Sequence, residues 1–121
     1  ITSAVRGRAY NHLLGMCPVA LFGSAELCAR YQPDFPASLD GAPFLLPLRG
    51  SGLRASLDQW FDSLGVRPRV VAEFKDSALM KTFGEAGQGI FAAPSAIEAE
   101  VREHYRVALV GLVDSITERF Y

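Results

Sequence analysis

A glycine-rich stretch near the middle of the chain has residue types that could bind a small ligand. Gly50, Ser51, Gly52 and Leu53 follow a short apolar segment and begin the most regular helical pattern of the sequence. The first amide groups of a helix have no partner within it and lie at the positive end of its dipole, so they can bind an anion or a polar group. The hydroxyl of Ser51 adds one more polar contact. An ordinary capped helix is the simpler interpretation of the same residues.

A second polar group follows the next apolar segment. Glu73, Lys75, Asp76 and Ser77 lie at its end. Because parallel strands end at the same edge of a sheet, we expect these residues near Ser51. Paired carboxylates could serve acid–base chemistry or bind a hard cation through oxygen. The alternative is structural: Asp76 would cap a helix, and Glu73 and Lys75 would be solvated residues at the sheet edge.

A glycine cluster at residues 84–89 does not indicate a nucleotide site. Its spacing is G-x-x-G-x-G, the reverse of the dinucleotide-binding fingerprint, and it follows a helix instead of opening one. We interpret it as a helix end and a tight turn into a strand.

No set of residues for catalysis or metal binding is evident. His12 lies near the start of the chain, and His104 falls at the end of a predicted surface helix. Neither a G-x-S-x-G nor an H-E-x-x-H motif occurs. Cys17 and Cys28 could form a single disulfide, but we expect buried free thiols. Two cysteines with two histidines make a structural zinc site improbable. The sequence therefore predicts no catalytic residue, no metal and no cofactor.

Composition limits the class of protein. The chain has 121 residues, of which 50% are hydrophobic, and a formal net charge of −1. This amount of apolar residue can form the core of one domain. The charge argues against a dedicated nucleic-acid binder, which would carry a basic excess. The apolar runs are shorter than the roughly 20 residues that span a bilayer, so we expect no membrane contact.

Short apolar runs alternate with helical patterns. Leu53, Leu57, Trp60, Phe61 and Leu64 recur with a period near 3.6 and predict a helix, with Ser51 as its N-cap and Gly65 after its end. A later helix is expected to bury Leu79, Met80 and Phe83. Strands are predicted at residues 17–22, 44–46, 69–74, 90–93 and 107–113. This order predicts an α/β fold with a mostly parallel sheet and helices on both faces.

A distinctive pattern runs through residues 76–94. It contains Asp-Ser-Ala-Leu-Met-Lys at 76–81, the glycine cluster at 84–89 and Ile-Phe-Ala-Ala-Pro at 90–94. This pattern resembles the regulatory domain of LysR-type transcriptional regulators, and the resemblance covers most of the chain. Stretches at residues 39–49, 60–61, 97–101 and 117–121 are similar to one subgroup, the NhaR-type activators of sodium/proton antiporter genes.

The resemblance implies a fold of the periplasmic-binding-protein type 2 class, with two α/β lobes joined by two crossing strands. Residues 1–19 would be the last part of the first lobe and a hinge strand, residues 20–112 the second lobe, and residues 113–121 the strand returning to the first lobe. The chain begins at Ile1 instead of Met and ends within an apolar run, so we expect a longer natural protein. Its winged helix-turn-helix, through which the family contacts DNA, would lie outside this chain.

The resemblance also implies where an effector binds. In the family the effector lies between the lobes, and the matching positions of the second lobe are Ser51, Gly52, Leu53, Phe74, Asp76 and Ser77. The effector would be a small molecule or an ion, with sodium as a candidate from the subgroup. Homo-oligomerisation through the regulatory domain and a cytoplasmic location are also implied.

Two other functions remain open at this point. A lobe of an extracytoplasmic solute-binding protein would share the fold but would follow a signal peptide instead of a helix-turn-helix. A small α/β hydrolase would require Ser51 to act as a nucleophile.

Overall fold

Five strands and four α-helices alternate along residues 17–118, the residues that this computed structural model describes. The strands are β1 (Cys17–Gly23), β2 (Pro43–Pro47), β3 (Arg69–Phe74), β4 (Phe91–Pro94) and β5 (Ala108–Glu118). The helices are α1 (Ala25–Tyr31), α2 (Gly52–Leu64), α3 (Ser77–Glu85) and α4 (Glu98–Tyr105). Short 3₁₀ turns occupy Ala37–Leu39 and Ser95–Ile97. The predicted strands and helices are confirmed, with their ends shifted by a few residues.

The sheet is mixed rather than mostly parallel, which corrects the predicted strand directions while confirming the α/β class. Strands β2 and β3 are parallel, and Phe44 forms a parallel bridge with Ile90, just before β4. Strand β1, however, runs antiparallel to both β4 and β5. One contribution is the length of α1: its 7 residues rise about 10 Å, whereas β1 spans about 23 Å. The helix therefore does not carry the chain back across the sheet before β2 begins.

Strands β2, β3, β4 and β5 consequently end at one edge of the sheet. Strand β1 begins at this edge, because Cys17 pairs with Glu118. The chain thus enters β1 and leaves β5 where β2 and β3 end. The loops after Pro47 and Phe74 begin at the same edge.

Strand β5 is irregular near that edge. Pro18 pairs with Thr117 but Val19 pairs with Val113, so residues 114–116 have no facing residue on β1. Such a bulge bends a strand and increases its twist. The boundary expected between residues 112 and 113 falls inside β5, directly before this bulge. Most of the expected first segment, residues 1–16, lies outside the described residues, as do residues 119–121.

The helices cover both faces of the sheet, as predicted. On one face, Phe61 of α2 packs edge-on against Phe44, with ring centroids 5.1 Å apart, and Leu57 and Cys28 join the same cluster. On the other face, Phe22 packs against Phe91 at 5.8 Å, and Met80 of α3 and Val101 of α4 close the second cluster. Full burial of each large apolar side chain contributes about 1.5–3 kcal/mol. The clusters on the two faces of the sheet therefore both stabilise the fold.

The predicted apolar face of α3 is wrong in part. Met80 is buried, but Leu79 and Phe83 are 49% and 41% exposed. The helix faces the sheet through Met80 and Gly84, which lie one turn apart and are both buried. Gly84 sits directly on the ring of Phe91, and this close approach determines which side of α3 turns inward. The glycine cluster that follows ends the helix, as predicted, with Gly87 in the left-handed region at φ 82°.

The contact between Gly84 and Phe91 gives a test of this packing. A Cβ at residue 84 would fall well inside the van der Waals distance of two carbons of the fully buried Phe91 ring. We expect Gly84→Ala to lower the free energy of unfolding by about 1–3 kcal/mol, although alanine favours helix formation by about 1 kcal/mol over glycine. Urea denaturation followed by circular dichroism measures the change.

Gly52→Ala is the matched control, because a Cβ at that helical position meets no atom within 4 Å. Its unfolding free energy should equal or slightly exceed that of the unchanged protein. A Gly84→Ala variant as stable as the Gly52→Ala variant would contradict the packing described here.

Candidate functional site

The two polar groups singled out in the sequence begin two helices at the same edge of the sheet. Ser51 caps α2, and its Oγ accepts a hydrogen bond of 3.1 Å from the amide of Arg54. Asp76 caps α3, and its Oδ1 accepts one of 2.8 Å from the amide of Ala78. The loops before these caps are joined, since the amide of Leu48 donates to the carbonyl of Phe74 at 3.1 Å. Both predicted caps are confirmed, and the two groups follow the ends of neighbouring parallel strands, as expected.

The six predicted effector residues differ in their exposure to solvent. Ser51, Gly52, Asp76 and Ser77 are exposed, and Leu53 is half-buried against the cluster beneath α2. Phe74 is only 9% exposed and belongs to the core. Its ring packs against that of Phe83, with centroids 5.2 Å apart. The accessible part of this edge is therefore polar backbone, two hydroxyls and one carboxylate, whereas Phe74 mainly supports it from below.

The carboxylates at this edge are already engaged. Glu73 accepts a 2.6 Å hydrogen bond from Nη1 of Arg54, and Nε of Arg49 lies 4.0 Å from the same oxygen. The hydrogen bond from Arg54, reinforced by the charges of both arginines, lowers the pKa of Glu73 although partial burial opposes it. Glu73 is thus an ion-paired residue rather than a solvated one. Oδ1 of Asp76 is engaged as the cap of α3.

Arg54 is the residue that sequence reasoning missed. Its side chain is only 4% exposed. It donates from Nε to both carboxylate oxygens of Asp58, at 3.1 and 3.2 Å, and from Nη1 to the carbonyl of Pro47 at 3.0 Å. Burial by itself lowers the pKa of Arg54, but the hydrogen bonds and charges of Glu73 and Asp58 together raise it.

The helical spacing contains a signal for Arg54. Residue 54 lies three positions before Leu57 and seven before Phe61, two residues of α2 that face the core. A charged side chain on this stripe has to be paired where it enters the interior. The acid four residues further along, Asp58, is one partner that the spacing predicts.

Two open grooves run along the sides of α2. One, of about 390 Å³, lies between α2 and β5 and is lined by Ser56, Gln59, Trp60, Ser63, Ser115 and Ile116. The other, of about 410 Å³, lies between α2 and β3 and includes Arg49, Arg54 and Asp58. Neither groove is lined by Ser51 or Asp76.

Cysteine and histidine residues form no reactive cluster in residues 17–118. Cys28 is a buried free thiol, as predicted, whose Sγ donates to the carbonyl of Ala108 at 3.2 Å. Burial raises its pKa, which disfavours the thiolate. His104 is exposed in the last turn of α4, whereas His12 and the side chain of Cys17 lie outside the described part. Within that part no group of three or more histidine, cysteine, aspartate or glutamate residues could hold a metal ion.

Comparison with known proteins identifies a family. The model of the LysR substrate binding domain matches residues 7–121. The Transcriptional activator protein NhaR of Escherichia coli (strain K12) is 33% identical over 110 residues, and the same values hold for the NhaR of Shigella flexneri. These alignments cover 89% of this chain but 35% of each relative. The chain thus spans about a third of the length of the curated relatives it matches.

Solved structures show the same fold. The regulatory domain of Synechocystis PCC6803 CcmR, in complex with 2-PG, superposes with a TM-score of 0.65 at 17% identity over 88% of this chain and 52% of that one. The effector domain of the Pseudomonas aeruginosa regulator AmpR gives 0.62 at 22% identity, over 88% of this chain and 50% of that one. The chain thus spans about half of each domain. None of its helices in residues 17–118 has the length and apolar character to cross a membrane.

The two helix caps can be tested by substitution. We expect Ser51→Ala and Asp76→Ala each to lower the free energy of unfolding by about 0.5–2 kcal/mol, because each leaves a first-turn amide without its acceptor. Asp76→Asn should keep most of the stability, since asparagine caps a helix as well as aspartate does. Urea denaturation at neutral pH compares the three variants. An Asp76→Asn variant as unstable as Asp76→Ala would show that residue 76 stabilises the fold through its charge instead.

Proposed function

This chain belongs to the LysR substrate binding domain family, and we propose that it is the effector-sensing second lobe of a LysR-type transcriptional activator. The observation that carries the proposal is the pairing of Cys17 with Glu118 at the edge where α2 and α3 begin. A first lobe connected through β1 and β5 would face this edge. Residues 20–112 would then form the second lobe, with residues 1–19 and 113–121 leading to the first.

In this proposal the exposed edge is one wall of the effector cleft. Ser51, Gly52 and Leu53 offer the start of α2, and Asp76 and Ser77 offer the start of α3. Phe74 holds the second loop in place from the core. Free amides at the two helix starts and the two hydroxyls can bind polar groups of a ligand. The first lobe would supply the opposite wall.

Effector binding would act through closure of the two lobes. A ligand that contacts both lobes when they are closed, and one lobe when they are open, favours the closed form by the difference between its two binding free energies. Couplings of this kind typically amount to about 1–3 kcal/mol. Closure would reorient paired subunits and the helix-turn-helix domains that contact DNA. The chain itself would bind its effector without chemical conversion.

The similarity to NhaR supports a regulator of sodium/proton antiporter genes or of another response to cation or pH stress. The effector would be a small molecule or an ion, and sodium is a candidate. A hard cation requires several converging oxygen atoms. This wall offers the hydroxyls of Ser51 and Ser77, loop carbonyls and the free oxygen of Asp76, so the first lobe would have to complete the coordination. Since such a regulator binds DNA, we place it in the cytoplasm.

Homo-oligomerisation is supported by the exposed edge of the sheet. Within residues 17–118, β3 pairs only with β2. Val70 and Val71 on β3 are 44% and 38% exposed. An edge strand with exposed apolar side chains readily pairs with or packs against another chain. The regulatory domain would therefore associate with a second copy through or near β3.

The sequence that precedes residue 1 in the natural protein separates this function from that of an extracytoplasmic solute-binding protein. The regulator requires a helix-turn-helix there. A secretory signal peptide in that position would instead favour the solute-binding protein.

The cleft itself is tested on the two-lobed regulatory domain of the natural protein. Sodium chloride is titrated against potassium chloride at equal ionic strength, followed by a panel of small organic acids, while backbone amide shifts are recorded. We expect the bound effector to shift the amides of residues 51–53 and 74–77. Ser51→Ala should weaken that binding about tenfold, which corresponds to about 1.4 kcal/mol.

Ser63→Ala is the control, because Ser63 lies at the far end of α2 and donates to the carbonyl of Trp60. Its affinity should match that of the unchanged domain. Shifts that avoid residues 51–53 and 74–77 for every ligand that binds would contradict the assigned cleft wall.

A further inference from the structure

We propose that Arg54 is a positioning residue that fixes the two halves of the effector wall relative to each other. The halves are the start of α2, at residues 51–53, and the end of β3 with the start of α3, at residues 74–77. The statement that these halves bind an effector rests on the proposed function. The link between the halves is a property of the chain itself.

The guanidinium of Arg54 connects three elements. Through Nη1 it reaches the carbonyl of Pro47, the last residue of β2, at 3.0 Å, and the carboxylate of Glu73, near the end of β3, at 2.6 Å. Through Nε it reaches Asp58 on the next turn of α2. Pro47 lies four residues before Ser51, and Glu73 lies three residues before Asp76. The side chain of Arg54 is therefore hydrogen-bonded to a residue at or next to the start of each loop of the wall.

Backbone contacts carry this link into the loops. The amide of Leu48 donates to the carbonyl of Phe74 at 3.1 Å, and the amide of Ser51 donates to the carbonyl of Leu48 at 3.4 Å. The amide of Arg54 also donates to Oγ of Ser51, so the backbone of Arg54 is bonded to the same loop as its side chain. Separation of Ser51 from the end of β3 would break several of these bonds together. A ligand that needs both halves thus finds them already in place, which avoids the cost of ordering them.

The side-chain chemistry explains why arginine occupies the position. A planar guanidinium donates in several directions at once and stays charged at every physiological pH. At 4% exposure this charge is stable only with partners in place. A lysine ammonium also has three donors, but they lie on one compact group, whereas the planar guanidinium spreads its donors toward partners on different elements.

Two substitutions separate positioning from general stability. Glu73→Gln removes the charge that binds Arg54 across elements, and Glu73 is 38% exposed, so the folded state should survive. Asp58→Asn is the matched control: it removes a carboxylate of Arg54 within α2 and leaves the link to β3 intact. We expect the amide of Leu48 to exchange with solvent roughly tenfold faster in Glu73→Gln, through local opening, and at nearly the unchanged rate in Asp58→Asn.

An acid titration of the chain, followed by amide shifts, tests the link without any ligand. The charged groups that face the Glu73–Arg54 pair are Arg49 and Asp58. Because Arg54 lowers the pKa of Glu73, the pair is intact above the ordinary glutamate range and is lost only as the pH falls through the lowered value. Amides on both halves should shift with one common midpoint, and Glu73→Gln should abolish that shared transition.

Arg54→Lys should keep a weaker version of the shared transition, with its midpoint moved toward the ordinary glutamate pKa. Amides at residues 48–53 that do not respond while those at residues 74–77 do would overturn the proposal. Equal exchange of the Leu48 amide in the Glu73→Gln and Asp58→Asn variants would also overturn it. Since neither measurement uses an effector, a failure to bind sodium or organic acids would count against the proposed function and not against this link.

Discussion

The direction of the strands is the constraint on which the rest of the structure depends. Four strands end at the same edge of the sheet, and β1 begins there because it runs antiparallel to β4 and β5. This arrangement places the start of α2, the start of α3 and the paired residues Cys17 and Glu118 at one edge of the sheet. In the proposed two-lobed domain, a ligand at this edge would contact the helix starts on one side and the first lobe on the other. The same layout would not arise if β1 were parallel to its neighbours.

A buried charge maintains the geometry of that edge. Arg54 lies on the inward stripe of α2, among residues that are otherwise apolar, and is neutralised by Glu73 and Asp58. Replacing such a group by an apolar residue of similar volume is often compatible with stability. We therefore infer that the role of Arg54 is to join the end of β2 to the end of β3. The core below, with Phe44, Phe61 and Phe74, supports the same two ends from the interior.

Local patterns in the sequence predicted most of the fold. The period of Leu57 and Phe61 defined α2, and Ser51, Gly65 and Asp76 marked helix ends because capping depends on neighbours a few residues away. The direction of β1 could not be predicted in this way, since a strand buried on both faces has the same apolar pattern in either direction. The exposure of Leu79 and Phe83 depends on the approach of Gly84 to Phe91, a contact between elements. The partners of Arg54 on β2 and β3 are likewise set by packing over long sequence distances.

We propose that the edge carrying Ser51 and Asp76 faces a further lobe of the natural protein, and amide hydrogen exchange can test this arrangement. The exchange of this chain alone would be compared with that of the same residues within the complete two-lobed domain. We expect the amides of residues 48–53 and 74–77 to gain protection in the complete domain. The turns at the opposite edge, residues 65–68 and 87–89, should exchange as before. Protection confined to that opposite edge would contradict the proposed arrangement.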